Sequence, residues 1–184
     1  MPIHHSDSFD ETVVRLLKTG GIGVVRTDTL YGLVAVANND VAVERVFAVK
    51  GRANEKAPIV LISNMNQIFD QIDASISDHL AKVWPGKNSV ILPSHRAPDW
   101  ITRGNQSVAY RLPNNPELCE LIGKVGPLIA PSANPQGLVP AMTIHEAENY
   151  FSDKVDFYVD GGEVTDNTPS KLFRFGQQGM ERLR

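Results

Sequence analysis

Short apolar runs alternate along the chain with stretches in which apolar residues recur every three or four positions. The runs read as strands and the stretches as amphipathic helices. Ser8-Phe9-Asp10-Glu11 has the form of a capping box. Val13, Leu16 and Leu17 then share one face, so a helix is expected to about Thr19, ended by Gly20-Gly21. Ile22 to Val25 reads as a strand. Asp40 opens a second helix with Val43, Val46 and Phe47 as its buried stripe and Gly51 at its C-terminal cap. Ile59 to Ile62 reads as a strand, followed by a helix around Gln67 and another from about Ser77 to Trp84, which Pro85-Gly86 stops. Ser89 to Leu92 and Ser107 to Arg111 read as strands. Asn115-Pro116 is an N-cap with proline at the first helical position, and that helix is expected to about Val125. Leu128 to Ala130 is a strand, Thr143-Ile144-His145-Glu146 a second capping box, and Val155 to Val159 a strand ending in the turn Asp160-Gly161-Gly162. Leu172 to Phe175 and Glu181 to Leu183 read as a terminal hairpin around Gly176-Gln177-Gln178-Gly179.

Strands and helices are interleaved, yet some strands follow one another directly. That pattern predicts an α/β fold with a twisted mixed sheet flanked by helices, as opposed to a purely parallel one. No linker divides the chain, and 1–184 reads as a single domain. With 184 residues of which 42% are apolar, it can bury a sizeable core. The formal net charge of -3 argues against a surface built to coat nucleic acid and leaves room for a local basic groove. The only cysteine, Cys119, falls in a predicted helix, where it is expected to pack as a small apolar side chain. The start Met1-Pro2-Ile3-His4-His5-Ser6-Asp7 has no charged-then-apolar signal pattern, and no apolar run approaches the roughly 20 residues that span a bilayer. A soluble cytoplasmic protein without membrane partners is expected.

Several familiar motifs are excluded. No G-x-x-x-x-G-K-[ST] loop is present. Gly20-Gly21-Ile22-Gly23 is half a dinucleotide fingerprint in the reverse context, after a helix and before a strand. His145-Glu146 lacks the second histidine of H-E-x-x-H, and the histidines show no metal-ligand spacing, so neither zinc nor haem is expected. Ser132 lies outside any G-x-S-x-G elbow.

The polar chemistry concentrates in loops after predicted strands. Lys50 and Arg52 flank Gly51 past the second helix; they are either solvated charges at the negative pole of its dipole or a phosphate clamp, point charge plus fork. Thr27, Asp28 and Thr29 form either turn chemistry or a polar mouth at a strand's end, with Tyr31-Gly32 turning the chain at its rim. Ser132 and Asn134 sit in a loop that Pro131 and Pro135 stiffen, either a plain turn or a preorganised binding loop. Arg111 ends a strand as an edge charge or a carboxylate fork. Ser170 precedes the last hairpin.

In order, Thr27 to Gly32, Lys50 to Arg52, Trp84-Pro85-Gly86, Val108 to Pro113, Pro131 to Asn134, Asp160 to Gly162 and Pro169-Ser170 resemble the signature of the YrdC-like family, the threonylcarbamoyl-AMP synthases, in its single-domain form. The resemblance implies a central concave groove and an ATP-dependent nucleotidyl transfer. L-threonine, bicarbonate or CO2, and ATP with Mg2+ would give threonylcarbamoyl-AMP and pyrophosphate. A threonylcarbamoyl transferase complex would then modify tRNA beside the anticodon. It implies Lys50 and Arg52 as the catalytic pair on ATP phosphates, with Ser107, Asn134, Thr143 and Arg184 also toward ATP. Thr27, Arg111, Ser132 and Ser170 fall toward threonine. Arg26, Ala53, Lys87, Asn88, Ser89, Tyr110 and Lys171 depart from the signature. Two other readings compete. One is an RNA-binding or ribosome-associated module whose groove is lined by Arg26, Lys50, Arg52, Lys56, Lys87 and Arg111. The other is a nucleotide-binding paralogue with another amine substrate. On the synthase reading, replacing Lys50 or Arg52 by alanine is expected to cut turnover and spare the fold, both residues standing at a solvent-facing helix end.

Overall fold

The computed structural model describes residues 3–53, 55–176 and 179–184. Met1 and Pro2, Asn54, and the Gln177-Gln178 pair expected at the hairpin turn lie outside the described residues. The strands are β1 (His4–Ser6), β2 (Gly23–Arg26), β3 (Tyr31–Val36), β4 (Ile59–Leu61), β5 (Asn88–Pro93), β6 (Ser107–Arg111), β7 (Leu128–Ile129), β8 (Phe157–Val159), β9 (Lys171–Gly176) and β10 (Gly179–Arg182). The α-helices are α1 (Glu11–Lys18), α2 (Asp40–Lys50), α3 (Ala74–Ala81), α4 (Asp99–Thr102), α5 (Pro116–Val125) and α6 (Ile144–Phe151). All strands join one open sheet in the order β1-β8-β2-β3-β7-β4-β6-β5-β9-β10. Pairing is mixed, as expected: β2 with β3 is antiparallel, β4 with β6 parallel and β5 with β6 antiparallel.

The sheet is apolar on both faces, and its strands alternate between two cores, as the period of two requires. Val24, Leu33, Val60 and Ile129 point to one core, with Val43, Val46 and Phe47 of α2 and Ala147 and Phe151 of α6. Their neighbours Val25, Val34, Leu61 and Leu128 point to the other, with Val13 and Leu17 of α1 and Leu118, Leu121 and Ile122 of α5. Each such side chain, taken fully out of water, contributes roughly 1.5–3 kcal/mol. Cys119 on α5 is half-buried, its Sγ 3.3 Å from the Pro113 carbonyl.

Several elements differ from expectation. The cap of α1 is Asp10, whose carboxylate accepts from the Val13 N–H, so the Ser8 capping box does not form. Ser8 instead donates its N–H to Ser6. α3 begins at Ala74, capped by Asp73, and ends three residues short of Trp84. β1, β3 and the short α4 have no counterpart in the pattern reading. β3 matters most. Tyr31-Gly32 starts a strand in mid-sheet and does not turn the chain, and Tyr31 is fully buried in the cavity wall.

Candidate active site

Strand ends on the α1–α5 face of the sheet frame a cavity of about 400 Å³. Ile59 and Ala130 pack against the second core on one side and line the cavity on the other. Arg111 stands beside Leu61 in the β4–β6 register, which turns its side chain to this same face. The cavity also takes in Thr27, Arg52, Ser132, Ser170 and Arg184, residues drawn from turns far apart in the chain.

Gly32 determines how tightly these turns meet. It bridges Ser132 across the sheet, while Leu33 N–H donates to the Pro131 carbonyl and Ala133 N–H to that of Tyr31. A Cβ on Gly32 would lie 3.2 Å from the Thr27 methyl and 3.5 Å from Ala130 Cβ, so the approach admits no side chain without a shift of its neighbours. Tyr31 ties in the next turn. Its Oη lies 2.8 Å from the Gly162 carbonyl and accepts from the Gly161 N–H. Burial first, with the Asp160 carboxylate nearby, pushes its phenol up to about 12.

Lys50 overturns the expectation of a solvent-facing helix end. It is 5% exposed, and its Nζ donates to the Ser132 carbonyl at 2.5 Å, the Asn134 carbonyl at 2.8 Å and Asn134 Oδ1 at 2.9 Å. Burial and the Arg52 charge pull its pKa down to about 8, while the acceptor oxygens favour the charged form. Lys50 is thus a strut beneath the Ser132–Asn134 loop and not part of the cavity lining. Asn134 serves the same loop. Its Oδ1 accepts from Ser132 Oγ at 2.6 Å, and its amide donates to the Leu138 carbonyl at 2.6 Å.

Gly51 at φ 63 caps α2 in the left-handed conformation and redirects the chain, so that Arg52 reaches the cavity. Its guanidinium donates to the carbonyls of Lys56 and Ala57. Burial and Arg103, which stacks 3.9 Å from the Phe47 ring, lower its pKa. Arg184 donates to the Ser170 carbonyl at 3.0 Å. Ser170 is buried and shares a 2.9 Å hydrogen bond with Ser89, one of the residues that depart from the signature. Thr27 Oγ1 donates to the Leu30 carbonyl at 2.7 Å and lies 3.5 Å from Arg111 Nη2.

Thr27, Arg52, Arg111, Ser132, Ser170 and Arg184 therefore meet in one hollow; Lys50 and Asn134 stand behind its wall. Ser107 lies at the far end of β6 from Arg111, outside the lining. Thr143 is also outside: it caps α6, accepting from the Glu146 N–H. Among the described residues, the charged groups lining the cavity are three arginines and no carboxylate, the balance of an anion site. Asn167 and Pro140 line it too, and no sequence motif announced either. Of the cations invoked for an RNA groove, Arg52 and Arg111 line the cavity, whereas Lys87 and Arg26 are engaged outside its lining. Lys87 pairs with Asp166, Arg26 donates to the Gly161 carbonyl, and Arg111 faces Asp28.

The Sua5/YciO/YrdC domain family, described as telomere recombination, matches residues 15–184. The chain belongs to that family. Proteins named threonylcarbamoyl-AMP synthase from Pseudomonas fluorescens and Pseudomonas aeruginosa are 32% and 35% identical to it over 166 residues, 88% of this chain and 90% of theirs. Among solved structures, P. abyssi Sua5 complexed with L-threonine superposes with a TM-score of 0.88 at 29% identity. The match covers 100% of this chain and 57% of that one, so the chain spans little more than half the length of that Sua5. E. coli YciO, at 18% identity, has the same fold, with a TM-score of 0.82 over 99% of this chain and 93% of its own. The ordered signature read in the sequence thus marked the right family, and the mixed open sheet is the family's.

Proposed function

We propose that this family member is a threonylcarbamoyl-AMP synthase whose reaction takes place in the arginine-lined cavity. The observation that carries the reading is the meeting of Arg52, Arg111 and Arg184 with Thr27, Ser132 and Ser170 around one hollow. Relatives that share about a third of its sequence over most of its length bear that enzyme's name.

The chemistry fits such a hollow. The neutral amine of threonine attacks CO2, forming the carbamate and releasing a proton. A carbamate oxygen then attacks the α-phosphorus of ATP, and the bond to pyrophosphate breaks. No protein nucleophile takes part. The protein aligns two anions and offsets their charge, which is catalysis by positioning and electrostatics. Arg111, the most buried of the arginines, would hold the threonine carboxylate as a fork, with Thr27, Ser132 and Ser170 beside it. Arg52 and Arg184 would face the phosphates. Lys50 and Asn134 would act through the loop they support, and Lys50 would add its charge from behind the wall. Thr143 and Ser107 have no part in this account. Among the described residues no group of three or more His, Cys, Asp or Glu side chains could hold a metal ion. Magnesium would arrive with ATP, bound by its phosphates.

On this reading residues 1–184 act as one domain and complete the adenylation alone. The product would pass to a tRNA-modifying threonylcarbamoyl transferase complex in the cytoplasm. No helix among the described residues is long and apolar enough to cross a membrane. The test is pyrophosphate release by the purified protein with MgATP and bicarbonate. Release that requires threonine, and that serine or glycine supports poorly, is expected. Release independent of the amino acid contradicts the assignment.

A further inference from the structure

The turn that carries Thr27 also carries a carboxylate that the proposed reaction leaves unused. Asp28 lies against Arg111, Oδ1 3.1 Å from Nη2, with the two side chains 4% and 5% exposed. Neither Asp28 oxygen closes a hydrogen bond among the described residues, although the backbone N–H groups of Asn114 and of Asp28 itself face it. Arg111 is as sparsely bonded. Its Nη2 reaches Thr27 Oγ1 at 3.5 Å, and its buried Nε has no partner. Desolvation pushes the Asp28 carboxyl up and the Arg111 guanidinium down, each opposed by the charge of the other. A structural ion pair buried this deeply is normally completed by further hydrogen bonds. This one is not, and its arginine lines the cavity.

We infer that Asp28 is a positioning residue for the amino-acid substrate: it holds the Nη2 group of Arg111 beside Thr27, so that the guanidinium is set in one orientation at the cavity wall to take the substrate carboxylate. The inference rests on the reading of the cavity as the threonine site. Asp28 touches no substrate. It acts by fixing, before binding, the orientation of a fork whose one other side-chain contact among the described residues is the 3.5 Å approach of Nη2 to Thr27 Oγ1. It also offsets the charge of Arg111, so that the buried guanidinium is tolerated before the ligand binds. Such preorganisation lowers the ordering cost of binding. The residue lies inside the T-D-T segment, where it reads as an ordinary turn aspartate.

The test is steady-state pyrophosphate release by the full chain, with threonine and ATP varied in turn, for wild type, D28N, R111Q and the double variant. Asparagine keeps the shape of Asp28 and removes its charge. D28N should raise the KM for threonine about tenfold and leave that for ATP within about twofold. Adding D28N to R111Q should leave the threonine KM of R111Q unchanged, because the residue acts through Arg111. Should D28N alone fold too poorly to assay, R111Q against the double variant still decides, since a further rise in the double overturns the inference. An equal rise in both KM values for D28N, the mark of a merely structural residue, also overturns it. A threonine-dependent wild type with an unaltered D28N overturns the positioning role alone. A wild type indifferent to threonine contradicts the functional reading and the positioning role together.

Discussion

Lys50 illustrates what one residue's sequence context reveals and what it conceals. A lysine at the last position of a helix, before a glycine cap, has the same local pattern whether it is solvated or buried. Its partners, Ser132 and Asn134, lie 82 and 84 residues further on, beyond any periodicity. The same holds for Arg111, whose counter-charge comes from Asp28 in another turn. Burial gives Lys50 a measurable signature. Its folded pKa of about 8 lies below the ordinary value of 10.5. At pH values below the folded pKa both states carry the proton, and the cost of burying the charge is complete. Between the two pKa values the unfolded chain keeps a proton that the native protein has lost, so stability rises with pH. Urea midpoints compared at pH 7.5 and 9.5 should therefore shift upward for wild type relative to Lys50→Met. A difference between the two proteins that does not change with pH would mean that Lys50 keeps an ordinary pKa. Because the lysine supports the loop, Lys50→Ala should lose stability along with activity, contrary to what a solvent-facing position would imply.

At the scale of elements, local signals worked where the deciding interactions are local. Asn115 with Pro116 marks the start of α5, and Gly51 the end of α2. The Thr143 cap forms, and Glu146 reaches back one residue further than a capping box requires, its carboxylate accepting from the Met142 N–H. The loop signals misled at β3, because T-D-T-L-Y-G has the composition of a turn and the strand begins inside it. What makes Tyr31 and Gly32 extended is pairing with β2 on one side and the Ser132 bridge on the other, and the second lies far outside the local sequence. The cap explains why Thr143 stands apart from the site. Thr143→Ala should cost about 1 kcal/mol of stability, the usual effect of a lost N-cap, and leave the KM for ATP within about twofold. A large rise in that KM at unchanged stability would place Thr143 on the nucleotide instead.

Across the whole molecule, the interleaving of helices and strands announced an α/β fold with a mixed sheet, but strand order is not written in periodicity. β7 lies between β3 and β4, and β8 between β1 and β2. That order carries the Pro131–Asn134 loop to the side of Gly32 and the Asp160–Gly162 turn to the Tyr31 hydroxyl. Loops that the sequence shows only as separate hydroxyl- and cation-bearing turns become one wall. Six of the ten candidate side chains line it, two brace it from behind, and Ser107 and Thr143 lie elsewhere. The central claim is that this wall brings an amino-acid carbamate and the α-phosphate of ATP into line. The most direct measurement supplies ¹³C-labelled bicarbonate with threonine and MgATP and follows the adenylate by mass spectrometry. The account predicts a labelled threonylcarbamoyl-adenylate whose yield at low threonine falls sharply in both Arg111→Gln and Arg52→Ala. Undiminished label in those variants, or an adenylate without label, would contradict it.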